Sequence, residues 1–142
     1  MSEFEWTWET AHKSMGAGIV IVKKIQEEWR VLGLWCRGGY DITKGHIDEG
    51  EEPLETALRE CAEEANITQV DMKWGPQHLI ADNLVVYLGT TDQEPEIIPN
   101  PNSGIIEHEH LKWLDWAEMK EKTYPYLLPA IEWAQRIIED ET

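Results

Sequence analysis

Apolar positions along the chain switch between two spacings. Residues 16–22, GAGIVIV, open on small residues and run into a β-branched stretch, which predicts a buried strand. Residues 29–35, WRVLGLW, predict a second strand, with KKIQEE as the turn between them. From Arg37 to Gly50 the chain reads RGGYDITKGHIDEG. Its glycines and short polar residues predict a loop without regular structure. The period changes at Pro53. Leu54, Ala57, Leu58, Cys61, Ala62 and Ala65 recur at helical spacing on one face, so a helix is expected over Pro53–Ala65. Pro53 suits a first helical turn and Asn66 a left-handed stop. The acidic residues at the start complement the helix dipole.

Residues 78–90, HLIADNLVVYLGT, predict strand material, strongest from Leu84 to Leu88. Three prolines, two asparagines and a glycine make residues 93–104 a loop, with Ile97 and Ile98 as a candidate short strand. LKWL at 111–114 predicts another short strand, and Asp115 is placed to cap a brief helix over Trp116–Lys120. Over residues 125–139, Leu127, Leu128, Ile131, Ala134 and Ile138 share a face and predict a terminal amphipathic helix. Strands and helices mix without strict alternation. The expectation is one domain over residues 1–142 with a mixed sheet, of α/β or α+β class.

Composition agrees and adds exclusions. Of 142 residues, 42% are hydrophobic and 28% charged, which suits a folded globular chain. Twelve Lys and Arg against 28 Asp and Glu leave a net charge of -16. That argues against duplex nucleic acid and against an anionic membrane surface as partners. It leaves open a phosphorylated small molecule met through metal cations. No apolar run approaches the roughly 18 residues of a membrane span. The start, MSEFEWTWETAHK, lacks the basic and apolar regions of a signal peptide. Cys36 and Cys61 form no C-x-x-C pair and read as reduced thiols, so a cytoplasmic setting is expected. The eight tryptophans read as core or pocket walls, with base stacking as the alternative.

The chemistry concentrates in GHIDEGEEPLETALRECAEEANI, residues 45–67. On a helix, Glu60, Glu63 and Glu64 project from one face, roughly opposite the apolar stripe. Carboxylates so close repel unless a hard divalent cation neutralises them, and magnesium suits such a set. Arg59 is the only basic residue on this helix and can pair with Glu51, fixing loop to helix.

This segment resembles the Nudix box, G-x5-E-x7-R-E-U-x-E-E-x-G-U with U aliphatic. Gly45, Glu51, Arg59, Glu60, Glu63 and Glu64 fall on its fixed positions, and Cys61 and Ile67 on apolar ones. Asn66 stands where the family has Gly, a position Asn fills because it tolerates positive φ. A solvated acidic helix is the ordinary alternative, and six matched positions weigh against it. KGHIDEGEEPLETALRE is further similar to the asymmetric diadenosine tetraphosphate hydrolases, as are GAGIVIV and EHEHLKWLDWAEM.

The resemblance implies an α/β/α sandwich, a mixed sheet between helices with a loop–helix–loop box. It implies a metal-dependent hydrolase of nucleoside polyphosphates, most closely dinucleoside tetraphosphates, using magnesium with manganese as an alternative. Glu60, Glu63 and Glu64 would ligate metal, joined by the Lys44 carbonyl and by Glu107 as ligand or general base. Glu109, two residues on, would share a strand face with Glu107 and is its rival. Glu60, Glu64, Glu107 and Arg59 form the implied catalytic set, and Gly45, Glu51 and Asn66 the structural one. Lys44, His46 and His108 are candidates for phosphate contact; Tyr40 and Tyr87, with Trp35 and Trp74, are candidates for base stacking, each weighed against core packing. The chain departs from the subfamily in lacking prolines before Lys44 and in having Asn83 near an expected Lys. Other readings are pyrophosphohydrolysis of (d)NTPs, ADP-ribose or capped RNA, and a non-catalytic nucleotide-binding domain. Monomer and homodimer both remain open.

Overall fold

The computed structural model describes residues 15–141. The reading of residues 1–13 as no signal peptide lies outside them. A long strand, β1 (Gly16–Ile25), runs through the middle of the sheet. It is followed by β2 (Glu28–Cys36), β3 (Gly39–Asp41), β4 (Thr43–His46) and helix α1 (Pro53–Ala65). Then come β5 (Leu79–Ala81), β6 (Leu84–Thr90), β7 (His110–Leu114) and helix α2 (Trp116–Lys122). A 3₁₀ turn (Pro125–Leu127) leads into helix α3 (Leu128–Asp140). Among the described residues seven strands form one mixed sheet in the order β3-β2-β1-β6-β5, with β4 on β1 and β7 on β2.

One edge of β1 is shared. Residues 16–19 pair antiparallel with β4, and residues 22–25 pair antiparallel with β2. The other edge runs parallel to β6 over residues 16–22. Side chains alternate across the sheet as the strand period requires. Ala17, Ile19, Ile21, Val85 and Tyr87 face α1, where Ala57, Cys61 and Ala65 close the layer. Val20, Val22, Val86 and Leu88 face the opposite way, under Ile131, Ala134 and Ile138 of α3 and Met119 of α2.

The structure differs from the sequence expectations in three places. The segment 37–50 is not all loop, because it contains β3 and β4. Each is too short, and too rich in glycine and polar residues, to show an apolar period. The turn expected over KKIQEE shrinks to Gln26 and Glu27, both at positive φ (53° and 72°), between Ile25 and Glu28 paired across a hairpin. This twist suits a two-residue hairpin, although neither residue is the usual Asn or Gly. Ile97 and Ile98 lie in no strand.

The helices follow their signals closely. α1 keeps its expected bounds, and Asn66 caps it at φ 56°, ψ 31° while its N–H donates to the Ala62 carbonyl. Asp115 accepts from the Glu118 N–H at 2.7 Å and starts α2. The terminal helix begins as a 3₁₀ turn because Pro129 has no N–H to donate back to residue 125. No described helix is long and apolar enough to cross a membrane.

Candidate active site

The site gathers where β4 runs beside α1. Glycine at position 45 is required by what faces it: a Cβ there would overlap the Glu60 carboxylate. The missing side chain lets Glu60 lie directly on the β4 backbone. Next to it, the Lys44 N–H donates to Glu64 Oε1 at 3.1 Å. Two helix carboxylates thus meet one stretch of strand.

Arg59 ties the loop to the helix. Its Nε and Nη2 donate to both oxygens of Glu51, at 2.8 and 3.1 Å. Nη2 also reaches the His46 carbonyl at 3.1 Å. Nη1 donates to Glu60 Oε2 at 3.0 Å and Glu63 Oε1 at 3.2 Å. Glu51 in turn accepts from the Asp48 N–H and the Thr56 hydroxyl. The bonds from Arg59, helped by Thr56 and Asp48, hold the Glu51 carboxyl down at about 2 against some desolvation. The predicted Arg59–Glu51 pair is therefore present. Its guanidinium also carries two of the acidic residues on its own helix.

Glu64 experiences the opposite field. Burial pushes its carboxyl up to about 9; Glu60, Asp41 and Glu107 add to the shift, and the Lys44 N–H opposes it. Burial likewise raises Glu60, with Glu63 adding and Arg59 opposing. Arg59 offsets part of this negative charge through Glu60 and Glu63, but among the described residues no ion pair reaches Glu64; the donors are all oxygens, which fits a hard divalent cation by type. Among the described residues no three His, Cys, Asp or Glu side chains are already posed around one point. Glu60 and Glu63 are turned to Arg59 instead.

Two hollows flank this cluster. A cleft of about 260 Å³ is lined by Lys44, Gly45, His46, Asn83 and Tyr126. A second, narrow cavity is lined by Glu63, Glu64, Asn100, Glu107 and His108. Glu107 thus joins the box carboxylates, whereas Glu109 lines neither hollow. The two do not share a strand face, since both precede β7.

Several candidate ligand contacts are corrected by burial. Tyr40 is 5% exposed and packs edge-to-face on Trp35 at 4.8 Å, so its ring is core and offers no face to a base. Trp35 is itself stacked on His110. Trp74 packs edge-to-face on Trp29. Tyr87 is 7% exposed and borders a separate depression beside His78, away from Lys44. His108 is buried, with Nε2 3.4 Å from Asp41 Oδ2, so it is not laid open to phosphate. Cys36 and Cys61 are free.

Three residues escaped the sequence reading. Asp41 is a buried carboxylate that also holds Lys44 Nζ at 3.3 Å. Burial lowers the Lys44 ammonium, but Asp41 and Tyr126 outweigh it and the net shift is upward. Tyr126, stacked on Tyr124, is the exposed aromatic on the cleft wall. Asn100 borders the narrow cavity. None lies in the box, and only the clustered Tyr124 and Tyr126 gave a compositional signal.

The NUDIX domain family matches residues 13–134. The chain belongs to the Nudix family. It is similar to the asymmetrical bis(5'-nucleosyl)-tetraphosphatase of Caenorhabditis elegans, 29% identical over 115 residues that cover 74% of this chain and 79% of the relative. It is also similar to the RNA pyrophosphohydrolase of Rhizobium meliloti, 36% identical over 101 residues, 58% of this chain and 60% of that protein. Among solved structures, the C. elegans Ap4A hydrolase binary complex superposes with a TM-score of 0.68 at 21% identity, over 89% of this chain and 98% of that one. The Nudix domain of Shewanella oneidensis NrtR, complexed with ADP ribose, gives 0.65 at 18% identity, over 94% of each. These structural likenesses establish a Nudix fold around the box.

Proposed function

We propose that this Nudix protein hydrolyses nucleoside polyphosphates with magnesium, and that dinucleoside tetraphosphates such as diadenosine tetraphosphate, cleaved to ATP and AMP, are its preferred substrates. The observation that carries the reading is Glu64. It is a half-buried carboxylate beside Glu60, within the field of Glu107 and against the Lys44 amide. When bound, a divalent metal supplies charge neutralisation on the phosphate chain and acidifies a water for attack at phosphorus. Glu60, Glu63, Glu64, Glu107 and the Lys44 carbonyl would hold it. Lys44 and His46 line the cleft that would receive the phosphate chain, and Tyr126 offers a ring at its wall. Arg59 keeps Glu51 and the box loop in place while the helix carboxylates work.

Relatives support the substrate class from two directions. The C. elegans match favours the dinucleoside polyphosphate. The R. meliloti match favours a 5'-phosphorylated RNA end, a second reading that the net charge of -16 weakens for long RNA. A substrate panel decides between them. Purified protein with Mg²⁺ is given diadenosine tetraphosphate, NTPs, ADP-ribose, and capped and triphosphorylated RNA, and kcat/KM is compared. The reading expects the highest value for diadenosine tetraphosphate, with ATP and AMP as products. A higher kcat/KM for an RNA end would transfer the assignment to RNA.

A further inference from the structure

Glu107 sits on the connection between β6 and β7, outside regular structure and exposed. Its carbonyl accepts from Cys36 Sγ at 3.5 Å, a tie that holds the backbone but not the carboxylate. The connection is tied down near both ends. The Glu96 N–H donates to the Ala65 carbonyl at 2.8 Å, and Asn66 Nδ2 donates to Glu96 Oε1 at 3.2 Å, so the strap is fastened to the end of α1. At the far end the Glu109 N–H donates to the Trp35 carbonyl at 2.8 Å. Between these ties one side chain does most of the organising. Asn100 Oδ1 accepts from the N–H groups of Asn102 and Ser103, at 2.8 and 3.1 Å. Its backbone N–H donates to the Ile105 carbonyl, and its carbonyl accepts from the Gly104 N–H. Its remaining amide reaches across the turn: Nδ2 donates to Glu107 Oε2 at 2.9 Å.

We propose that Asn100 is a positioning residue that holds Glu107 in the cavity shared with Glu63 and Glu64, where it serves as an oxygen donor to the catalytic metal. The inference rests on the reading of Glu107 given above. Asn is suited to the task by chemistry. A carboxylate placed near Glu63 and Glu64 is repelled by them and turns away unless a donor restrains it. Lys or Arg would restrain it more strongly but would bring a positive charge that competes with a cation. The neutral amide restrains one oxygen and leaves Oε1 outside that bond, on a residue that lines the cavity. The same side chain closes the turn that delivers Glu107.

Two substitutions separate the turn from the restraint. Asn100→Asp keeps an acceptor for the N–H groups of residues 102 and 103, loses the donor, and sets a negative charge against Glu107. Asn100→Ser keeps a turn-forming acceptor without charge but is too short to reach Glu107. Both are compared with wild type and Glu107→Gln by kcat on the best substrate of the panel, and by Mn²⁺ calorimetry on nucleotide-free protein. Thermal melting verifies folding. Both Asn100 variants are expected to lose about 10-fold or more in kcat, and Asn100→Ser to bind Mn²⁺ about 10-fold more weakly, the scale on which supports of metal ligands act. In a Glu107→Gln background, Asn100→Asp should add little. Folded Asn100 variants with wild-type kcat, or Asn100→Ser with wild-type Mn²⁺ affinity, would overturn the proposal while a damaging Glu107→Gln leaves the role of Glu107 intact. A Glu107→Gln protein with wild-type kcat and Mn²⁺ affinity would remove both.

Discussion

α1 and α3 are both amphipathic helices of 13 residues, laid on opposite faces of one sheet. Their apolar faces do the same work. Ala57, Cys61 and Ala65 close one layer as Ala130, Ile131 and Ala134 close the other. Their polar faces meet different things. On α3, Gln135 donates to Glu139 one turn along the same helix. On α1, Arg59 leaves the helix for Glu51 and the His46 carbonyl, Glu60 settles on a glycine, and Glu64 accepts from a strand amide. Amphipathic spacing therefore marks a helix without marking a site. The site appears where the polar face is pressed against chain that has given up side chains to receive it.

The largest break in this comparison should come from Glu64→Gln. Turnover of the best substrate of the panel should drop roughly 10²–10³-fold, the scale of losing a principal electrostatic group in an active site. The melting temperature should hold or rise, since a carboxyl pushed up by desolvation becomes a neutral amide. Glu139→Gln on α3 should leave kcat at the wild-type level. Equal rates for Glu64→Gln and wild type would remove the mechanism.

Ile131→Ala tests the other helix. This fully buried side chain should take about 2–5 kcal/mol of stability with it, read by chemical denaturation. The folded fraction should keep the wild-type kcat. A selective loss of kcat without loss of stability would mean that α3 belongs to the site after all.

A third test separates the two faces by pH. Glu64 is raised to about 9 from 4.5, so between these values the folded state holds a proton that the unfolded state has lost. The stability this contributes is present below about pH 4.5 and drains away as pH rises toward about 9. Melting temperature measured in a chelator should fall across this window. The slope should flatten in Glu64→Gln and persist in Ile131→Ala. A slope unchanged in Glu64→Gln would assign the pH dependence to another group.

Much of α1 was legible because its signals are local: Pro53 at the start, Asn66 at the end, and a period that needs no distant partner. Glu51 and Arg59 were legible because their separation is fixed by one loop and two helical turns. β3, β4 and the Gln26–Glu27 hairpin were not, since pairing with β1 and β2 imposes them on residues with weak strand or turn preference. Asp41, Asn100 and Tyr126 were hidden for a related reason. Each becomes part of the site only when distant segments converge: β3 with β4 and the β6–β7 connection, or the 3₁₀ turn with the start of β6. The tyrosines at 40 and 87 misled because an aromatic on a strand is equally suited to a core and to a cleft, and only the layer above it decides.

The divided edge of β1 has a mechanical meaning. Its first four residues hold β4, and its last four hold β2. Sliding β1 by one residue would carry Ala17 and Ile19 out of one layer and lift Lys44 and Gly45 off the helix in the same motion. The strand contributes no polar side chain to the chemistry, yet it sets the height of the backbone on which Glu60 and Glu64 rest. It is the gauge block of the enzyme: an apolar length that fixes the spacing of a charged machine.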